Sequence, residues 1–319
     1  MEKIISGGKN LIISHASDID GMSPAILARL MEKDIDIIFC EPIEILPVLK
    51  EIDPSKYQTI YITDLPINSN AALYIDKNKG LKVKIKHFDH HESDINSNYS
   101  FINEVVSTNG VKESAASLFY KYLLGLYPSN EILTNPLLEV YINAVRTNDT
   151  SEEDWLSDNP SKHFLLGRKI TILLSLIGHE KFINKFIGLF KSLGSDIFTK
   201  EEMNMIAVRE EYIANHIKKC DEELIKMDIK GRKVGVVITT EYRSEVGNAL
   251  SKKYPELDYI LIVDEKRRSF SFRTVRPDVN VFLIAKSLCS TGGGHPKAAG
   301  MPFCKENKWL FAEIKKCSR

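Results

Sequence analysis

From residue 11 to residue 90 the chain alternates short runs of aliphatic and β-branched residues with amphipathic stretches. LIISHA (11–16) is followed by PAILARLMEK, DIDIIFC (34–40) by EILPVLKEI, and TIYITD (59–64) by NAALYIDKNK, before KVKIKHFDH (82–90). The apolar runs read as strands, and the intervening stretches are amphipathic. Strand, helix, strand repeated in this way predicts an α/β fold with a parallel sheet covered by helices. In such sheets ligands bind beyond the carboxyl ends of the strands. Acids and histidines at those ends therefore matter more than the same residues elsewhere.

Between about 113 and 220 the period changes to that of helices, in ESAASLFYKYLLGLY, NPLLEVYINAV and HFLLGRKITILLSLIG, which predicts a helical connector. EEMNMIAVREEYIANHIKKCDEELIKM (201–227), rich in charge and without Gly or Pro, reads as one long linking helix. Strand signals return in KVGVVITT (233–240), DYILIVDE (258–265) and SFSFRTV (269–275), with a helical DVNVFLIAKSL before a glycine cluster. The expected domains are 1–200, a linker helix over 201–225, and a smaller α/β domain over 226–319. No internal repeat is evident.

At 319 residues, 43% hydrophobic and 27% charged, the chain can bury two cores and is not a disordered or membrane-spanning protein. Lys plus Arg and Asp plus Glu each number 43, so there is no global positive field to hold a long nucleic acid. Cys40, Cys220, Cys289, Cys304 and Cys317 are odd in number, widely spaced and without a CxxC pair. They predict neither a disulfide framework nor a zinc knuckle, but reduced thiols in a cytoplasmic protein. The N-terminus lacks a secretory h-region, and no run reaches a membrane span.

Four places put Asp or His at a strand end or after an apolar run: SHASDIDG (14–21), YITD (61–64), FDHH (88–91) and NAVRTNDT (143–150). Singly, each has a bland reading, since a carboxylate after a strand commonly caps the next helix. Together they do not. His15, Asp18 and Asp20 crowded at one strand end repel or desolvate one another unless a cation neutralises them. With Asp64, His90 and Asp149 they make six imidazole and carboxylate donors without a thiolate, a set suited to Mn²⁺ better than to structural zinc, with Mg²⁺ or Co²⁺ as alternatives. Two such ions sharing a carboxylate activate a water and stabilise the departing oxygen of a phosphate ester.

These segments resemble the four motifs of the DHH phosphoesterases, and TGGGHPKAAG (291–300) resembles the glycine-rich signature of the C-terminal domain associated with them. The resemblance covers essentially the whole chain. It implies one ion held by His15, Asp18 and Asp64 and a second held by Asp20, Asp64, His90 and Asp149, with Asp64 as the bridge. Asp89 then orients a neighbouring group, and His91 faces the phosphate as hydrogen-bond donor or acid. One spacing departs from the pattern: two residues separate His15 and Asp18 where several members have three.

In the C-terminal block, Gly292, Gly293 and Gly294 allow backbone amides to approach an anion, and His295 follows at once. Upstream, SFRTVR supplies Arg273 and Arg276, of a residue type suited to phosphate. Lys297, Arg267 and Arg268 join that patch or form a solvated edge. The resemblance to nanoRNA-degrading members assigns Arg273, the three glycines and His295 to the substrate, across a cleft from the metals. Ser114 lies near the metals or is a plain N-cap. The expected substrate is an RNA of two to five nucleotides or a linear dinucleotide. A 3′-phosphoadenosine 5′-phosphate phosphatase, a RecJ-like single-strand exonuclease, a pyrophosphatase and a non-catalytic nucleotide-binding module are the alternatives. A homodimer is compatible with the resemblance.

Overall fold

A computed structural model describes all residues except 16, 92–98, 152, 153, 156, 318 and 319. It divides into two compact units, Met1–Asp154 with Asn159–Ile206, and Trp155–Asp158 with Ala207–Arg319.

The first unit is built on β1 (Glu2–Ile4), β2 (Asn10–His15), β3 (Asp36–Cys40), β4 (Thr59–Thr63) and β5 (Ile85–Phe88), in the order β1-β3-β2-β4-β5. The last four are mutually parallel, as the apolar runs predict, and β1 adds an antiparallel edge. Leu11, Ile12 and Ile13 of the central strand are fully buried, which explains why β2 shows no polar alternation. Each such side chain contributes about 1.5–3 kcal/mol over its exposed state.

Between the strands run α1 (Ile19–Met31), α2 (Ile45–Glu51), α3 (Ser69–Lys77) and the short α4 (Lys79–Lys82). After β5 come a small hairpin, β6 (Ser107–Thr108) with β7 (Val111–Lys112), and then α5 (Ala115–Leu126), α6 (Pro136–Thr150), α7 (Lys162–Ile177) and α8 (His179–Lys191). Side-chain caps start several of these helices: Asp18 for α1, Asn68 for α3, Ser114 for α5, Asn135 for α6 and Ser161 for α7. Each satisfies an otherwise orphaned amide, worth about 1 kcal/mol.

The charged segment expected as one helix through Met227 forms α9 (Lys200–Glu222) and stops there. Ile225–Ile229 is instead β8, an edge strand whose side chains alternate between half-buried and exposed until Ile229. Hydrogen-bonding to β9 (Arg232–Ile238) overrides the helical propensity of ELIKM. The second unit continues with α10 (Arg243–Lys253), β10 (Tyr259–Asp264), β11 (Ser269–Arg273), α11 (Val281–Leu288), β12 (Gly293–Gly294), β13 (Ala298–Pro302) and α12 (Lys308–Cys317). Its sheet runs β12-β13-β11-β10-β9-β8, with only β9 and β10 parallel. No helix among the described residues is long and apolar enough to cross a membrane.

Candidate active site

The parallel strands of the first unit all point their carboxyl ends the same way, and each end delivers chemistry. β2 ends at His15, β3 is followed by Glu41, β4 by Asp64, and β5 by Asp89, His90 and His91. A short chain of buried hydroxyls ties these ends together. Thr63 Oγ1 donates to Ser14 Oγ at 2.7 Å, and Ser14 Oγ donates to the carbonyl of Gly21 at 2.5 Å. The start of α1 is thereby fastened to two strand ends. Gly21 is required there, because a Cβ would lie 2.4 Å from the His15 carbonyl oxygen.

Asp18 serves two purposes, so the capping and the ligand readings of this residue are compatible. Its Oδ1 accepts from the Gly21 amide at 2.9 Å, capping α1, while Oδ2 lies 3.1 Å from His15 Nδ1. Asp64 has a positive φ of 54°, tolerable for Asp, and this turn at the end of β4 aims its carboxylate at both groups of donors. Oδ2 of Asp64 is 3.4 Å from His15 Nδ1, and Oδ1 is 3.7 Å from His90 Nε2. His90 Nε2 is also 3.2 Å from Asp149 Oδ2 and 3.7 Å from Asp20 Oδ2.

Among the described residues two donor groups, His15, Asp18 and Asp64, and Asp20, His90 and Asp149, each have their ligand atoms within 4.8 Å of one another, and a third, Asp64, Asp89, His90 and His91, overlaps both. Asp20 is held by the amino end of α5, accepting from the Ala115 and Ala116 amides at 2.8 and 3.0 Å. Ser114 caps that helix, its side chain accepting from the Ser117 amide.

The electrostatics of this cluster fit a divalent cation. Burial, then the charges of Asp64 and Asp149, push the Asp20 carboxyl well above the usual carboxylate range. Burial likewise raises Asp149, to about 7, with Asp64 adding to it against the favourable charge of His90. Burial alone would depress His15 and His90, but their carboxylate neighbours outweigh it and raise them to about 11 and about 10. Asp64 Oδ2 and His90 Nε2 are buried without a hydrogen-bond partner. Crowded acids sharing protons with imidazoles, and buried donor atoms left unsatisfied, are what a His and carboxylate metal site presents to its ion.

Beside this cluster, Asp89 is fully buried and is paired with the imidazoles of His91 and His87. Its Oδ1 accepts from the His91 ring Nδ1 at 2.8 Å and from the His90 amide at 2.9 Å. Burial opposes ionisation of Asp89, yet the His91 hydrogen bond and charge hold it below its ordinary value. His91 is 39% exposed, with Nε2 as its remaining ring nitrogen. His87, fully buried, bonds through Nε2 to the Leu65 carbonyl and accepts from the Asn103 amide, so it fixes the β5 end without joining the cluster.

Glu41 joins the site although the sequence reading passes over it. Its Oε2 is 3.2 Å from His15 Nε2, and its Oε1 accepts from Ser17 Oγ at 2.7 Å. Its position directly after the apolar run DIDIIFC was the available signal.

In the second unit, Arg273 ends β11 and lies against α10. It donates to the Phe272 carbonyl at 2.9 Å and to Ser244 Oγ at 3.0 Å. Burial and then the nearby Arg243 lower its guanidinium to about 10. Gly292 and Gly294 are demanded first by packing, whereas a Cβ on Gly293 would meet nothing within 4 Å. A Cβ on Gly292 would meet the Ala285 carbonyl at 2.7 Å, and Gly294, at φ 127°, lies against Ala298 and Ala299. The Gly292 amide donates to Cys289 and the His295 amide to Ala298. Arg276 is ion-paired with Asp258 and Asp278, and Lys297 donates to the Arg276 carbonyl. Arg267 and Arg268 are exposed.

Fold and cluster together place overlapping sets of His and carboxylate donors at the carboxyl ends of a parallel sheet, an arrangement that fits divalent metal. No protein-family model matches the chain. The chain is 28% identical over 312 residues to oligoribonuclease NrnB of Bacillus subtilis, covering 94% of this chain and 74% of that protein. Among solved structures, exonuclease RecJ bound to manganese superposes with a TM-score of 0.61 at 18% identity, over 98% of this chain and 90% of that one. The pGpG-specific phosphodiesterase PggH of Vibrio cholerae gives a TM-score of 0.54 at 15% identity, over 97% and 100%. The chain is thus similar in sequence to a curated oligoribonuclease and in fold to a manganese-bound exonuclease and a dinucleotide phosphodiesterase.

Proposed function

We propose that this protein is a metal-dependent phosphodiesterase that hydrolyses short oligonucleotides or linear dinucleotides to mononucleotides, with Mn²⁺ as the preferred ion. The observation that carries this reading is Asp64, placed with one oxygen toward each of two His and carboxylate groups. The oligoribonuclease of Bacillus subtilis named above supports the substrate class.

His15, Asp18 and Asp64 would hold one ion, and Asp20, Asp64, His90 and Asp149 the second. When bound, such a pair supplies an activated water and charge neutralisation at the phosphate oxygens. The chain's own residues do the rest. The α5 amides keep Asp20 aimed at His90, and the Asp18 cap fixes the loop between β2 and α1. Asp89 holds the His91 ring by Nδ1, leaving Nε2 to donate to a phosphate or leaving oxygen. In the second unit, the substrate-binding residues in this reading are Arg273, Gly292, Gly293, Gly294 and His295. Arg273 retains donors beyond its two internal bonds, and a guanidinium matches phosphate geometry. The free thiols of Cys40, Cys220, Cys289 and Cys304 support placement in the reducing cytoplasm.

The test is a digestion panel of RNAs and DNAs from two to 24 nucleotides, a range of about one decade chosen to separate the substrate classes. 3′-phosphoadenosine 5′-phosphate and pyrophosphate are included, each with Mn²⁺, Mg²⁺ or chelator. Preference for the shortest oligonucleotides is expected. Faster cleavage of the longest strands, or turnover of pyrophosphate alone, rejects the reading. Nucleotide binding with no hydrolysis under any metal identifies a binding module instead.

A further inference from the structure

The widely spaced cysteines predict isolated thiols, yet the fold of the second unit brings two of them together. Cys289 follows α11 at the entrance to the glycine loop, and Cys304 follows β13. Strand β13 returns alongside β12, so residues fifteen positions apart, counted from 289 to 304, meet at one end of the sheet. Cys289 Sγ, Cys304 Sγ and a carboxylate oxygen of Glu306 all lie within 4.8 Å of one another. All three belong to the second unit, remote in sequence from the His and carboxylate cluster.

Three features distinguish this group from a chance encounter of thiols. First, both sulfurs have oxygen neighbours: Cys289 Sγ lies 3.2 Å from Thr291 Oγ1, and the Cys304 thiol donates to Glu306 Oε2 at 3.9 Å. The thiol-to-carboxylate contact sets Glu306 against Cys304, so a cation that displaces the thiol proton meets sulfur and carboxylate donors side by side. Secondly, Glu306 is oriented for the site. Its Oε2 accepts from the Ser290 amide at 2.7 Å and its Oε1 from Ser290 Oγ at 3.2 Å, the outer contacts that hold a carboxylate ligand in place. Thirdly, the loop carrying Cys304 is pinned. The Cys304 amide donates to Asn307 Oδ1 at 3.0 Å, and the buried Asn307 donates through Nδ2 to the Pro302 carbonyl at 2.8 Å.

We propose that Cys289, Cys304 and Glu306 form a binding site for a thiophilic divalent cation of the Zn²⁺ class, separate from the His and carboxylate cluster. Two thiolates and one carboxylate carry three negative charges, which a dication reduces to one. A Zn–S bond of about 2.3 Å sets two sulfurs about 3.8 Å apart, so the donors converge by no more than about 1 Å on binding. The fourth position of the tetrahedron is left for solvent. Soft sulfur donors select against Mn²⁺ and Mg²⁺, and the hard donors of the first unit do the reverse, so the chain sorts two kinds of ion between its units. Binding cross-links the start of the glycine loop to the end of β13. The inference does not depend on the phosphodiesterase reading.

The probe is Co²⁺, added alone to the reduced, chelator-stripped full chain. Sulfur-to-cobalt charge transfer and intense tetrahedral d–d bands report this site, whereas His and carboxylate coordination gives no sulfur band. One equivalent per chain is expected to develop the sulfur band, and Zn²⁺ to bleach it. Cys289→Ser and Cys304→Ser should each abolish it, and the exposed Glu306→Gln, which leaves both thiols in place, should weaken Co²⁺ binding at least tenfold. Cys40→Ser, Cys220→Ser and Cys317→Ser should leave it unchanged. As an independent measure in the unmodified chain, Zn²⁺ should protect Cys289 and Cys304, and not the other cysteines, from alkylation read by mass spectrometry. Absence of a sulfur band with no selective protection, or a band that survives Cys289→Ser or Cys304→Ser, overturns the proposal.

Discussion

Asp89 Oδ1 accepts a hydrogen bond from His91 Nδ1 at 2.8 Å, and the same oxygen accepts the His90 amide at 2.9 Å. One buried carboxylate thus sets the ring of His91 and the backbone that carries His90. Asp89→Asn preserves an acceptor at Oδ1 but removes the charge, so kcat on a dinucleotide should fall about 10–100-fold, the usual cost of losing an outer carboxylate. Asp89→Ala leaves the amides unsatisfied and should in addition destabilise the fold by about 1–3 kcal/mol. Unchanged kcat in Asp89→Asn, with a native melting temperature, removes the orienting role.

Asp64 stands between the two donor groups, whereas Asp149 belongs to one. Asp64→Ala should reduce the number of Mn²⁺ ions bound per chain and abolish hydrolysis. Asp149→Ala should keep one ion and measurable turnover. Metal content by mass spectrometry on both variants decides it, since two ions retained in Asp64→Ala contradicts a shared carboxylate.

Removal of the ions should cost stability as well as activity. Free Mn²⁺ at a hundred times its Kd stabilises the folded state by about 2.7 kcal/mol. Thermal unfolding of chelated protein should therefore begin several degrees lower and return on adding Mn²⁺. Full hydrolysis after exhaustive chelation would falsify the metal-dependent reading.

The sequence displayed the parallel strands because burial on both faces leaves an unbroken apolar run, as in Leu11 to Ile13. Strands paired at an edge left little trace: Glu2–Ile4 and Ile225–Ile229 carry Lys, Glu or Asp among their apolar residues, and their assignment depends on partners far along the chain. In the site, the motif acids follow their own strands directly and could be read in place. The meeting of Cys289 with Cys304 could not, because it is produced by the return of β13 rather than by spacing along the chain. Glu41 was missed for a different reason. A single acid after a strand looks like a helix cap until His15 is seen beside it.

Two glycines in helices separate space from propensity. Gly21 in α1 has the His15 carbonyl oxygen 2.4 Å from where a Cβ would be, while Gly188 in α8 has nothing within 4 Å. Gly21→Ala should displace the β2 end, destabilise by about 1–3 kcal/mol and lower activity. Gly188→Ala should stabilise by up to about 1 kcal/mol, through helix propensity alone, and leave kcat unchanged. Equal urea midpoints for the two variants would show that the α1 to β2 contact does not control the site.

Arg273 offers the sharpest division between binding and chemistry. Two of its donors are spent on Phe272 and Ser244, and its stem packs over Gly247, where a Cβ would approach Arg273 Cγ to 2.6 Å. The side chain is therefore held in one orientation before any ligand arrives, which lowers the entropy lost on capturing a phosphate. Losing a charge-assisted hydrogen bond costs about 1.5–3 kcal/mol, or roughly 10–150-fold in kcat/KM on a dinucleotide. Arg273→Ala also removes packing, so Arg273→Lys is the necessary companion. Lysine keeps the charge but loses the fork, and should recover only part of the loss if two phosphate oxygens are gripped at once. Mn²⁺ affinity should be unchanged in both variants, because every proposed ligand lies in the first unit. A small generic phosphodiester, with no second phosphate to hold, should be cleaved at nearly the unmodified rate. Equal losses on the generic ester and the dinucleotide would mean that Arg273 supports the fold of the second unit and does not touch the substrate.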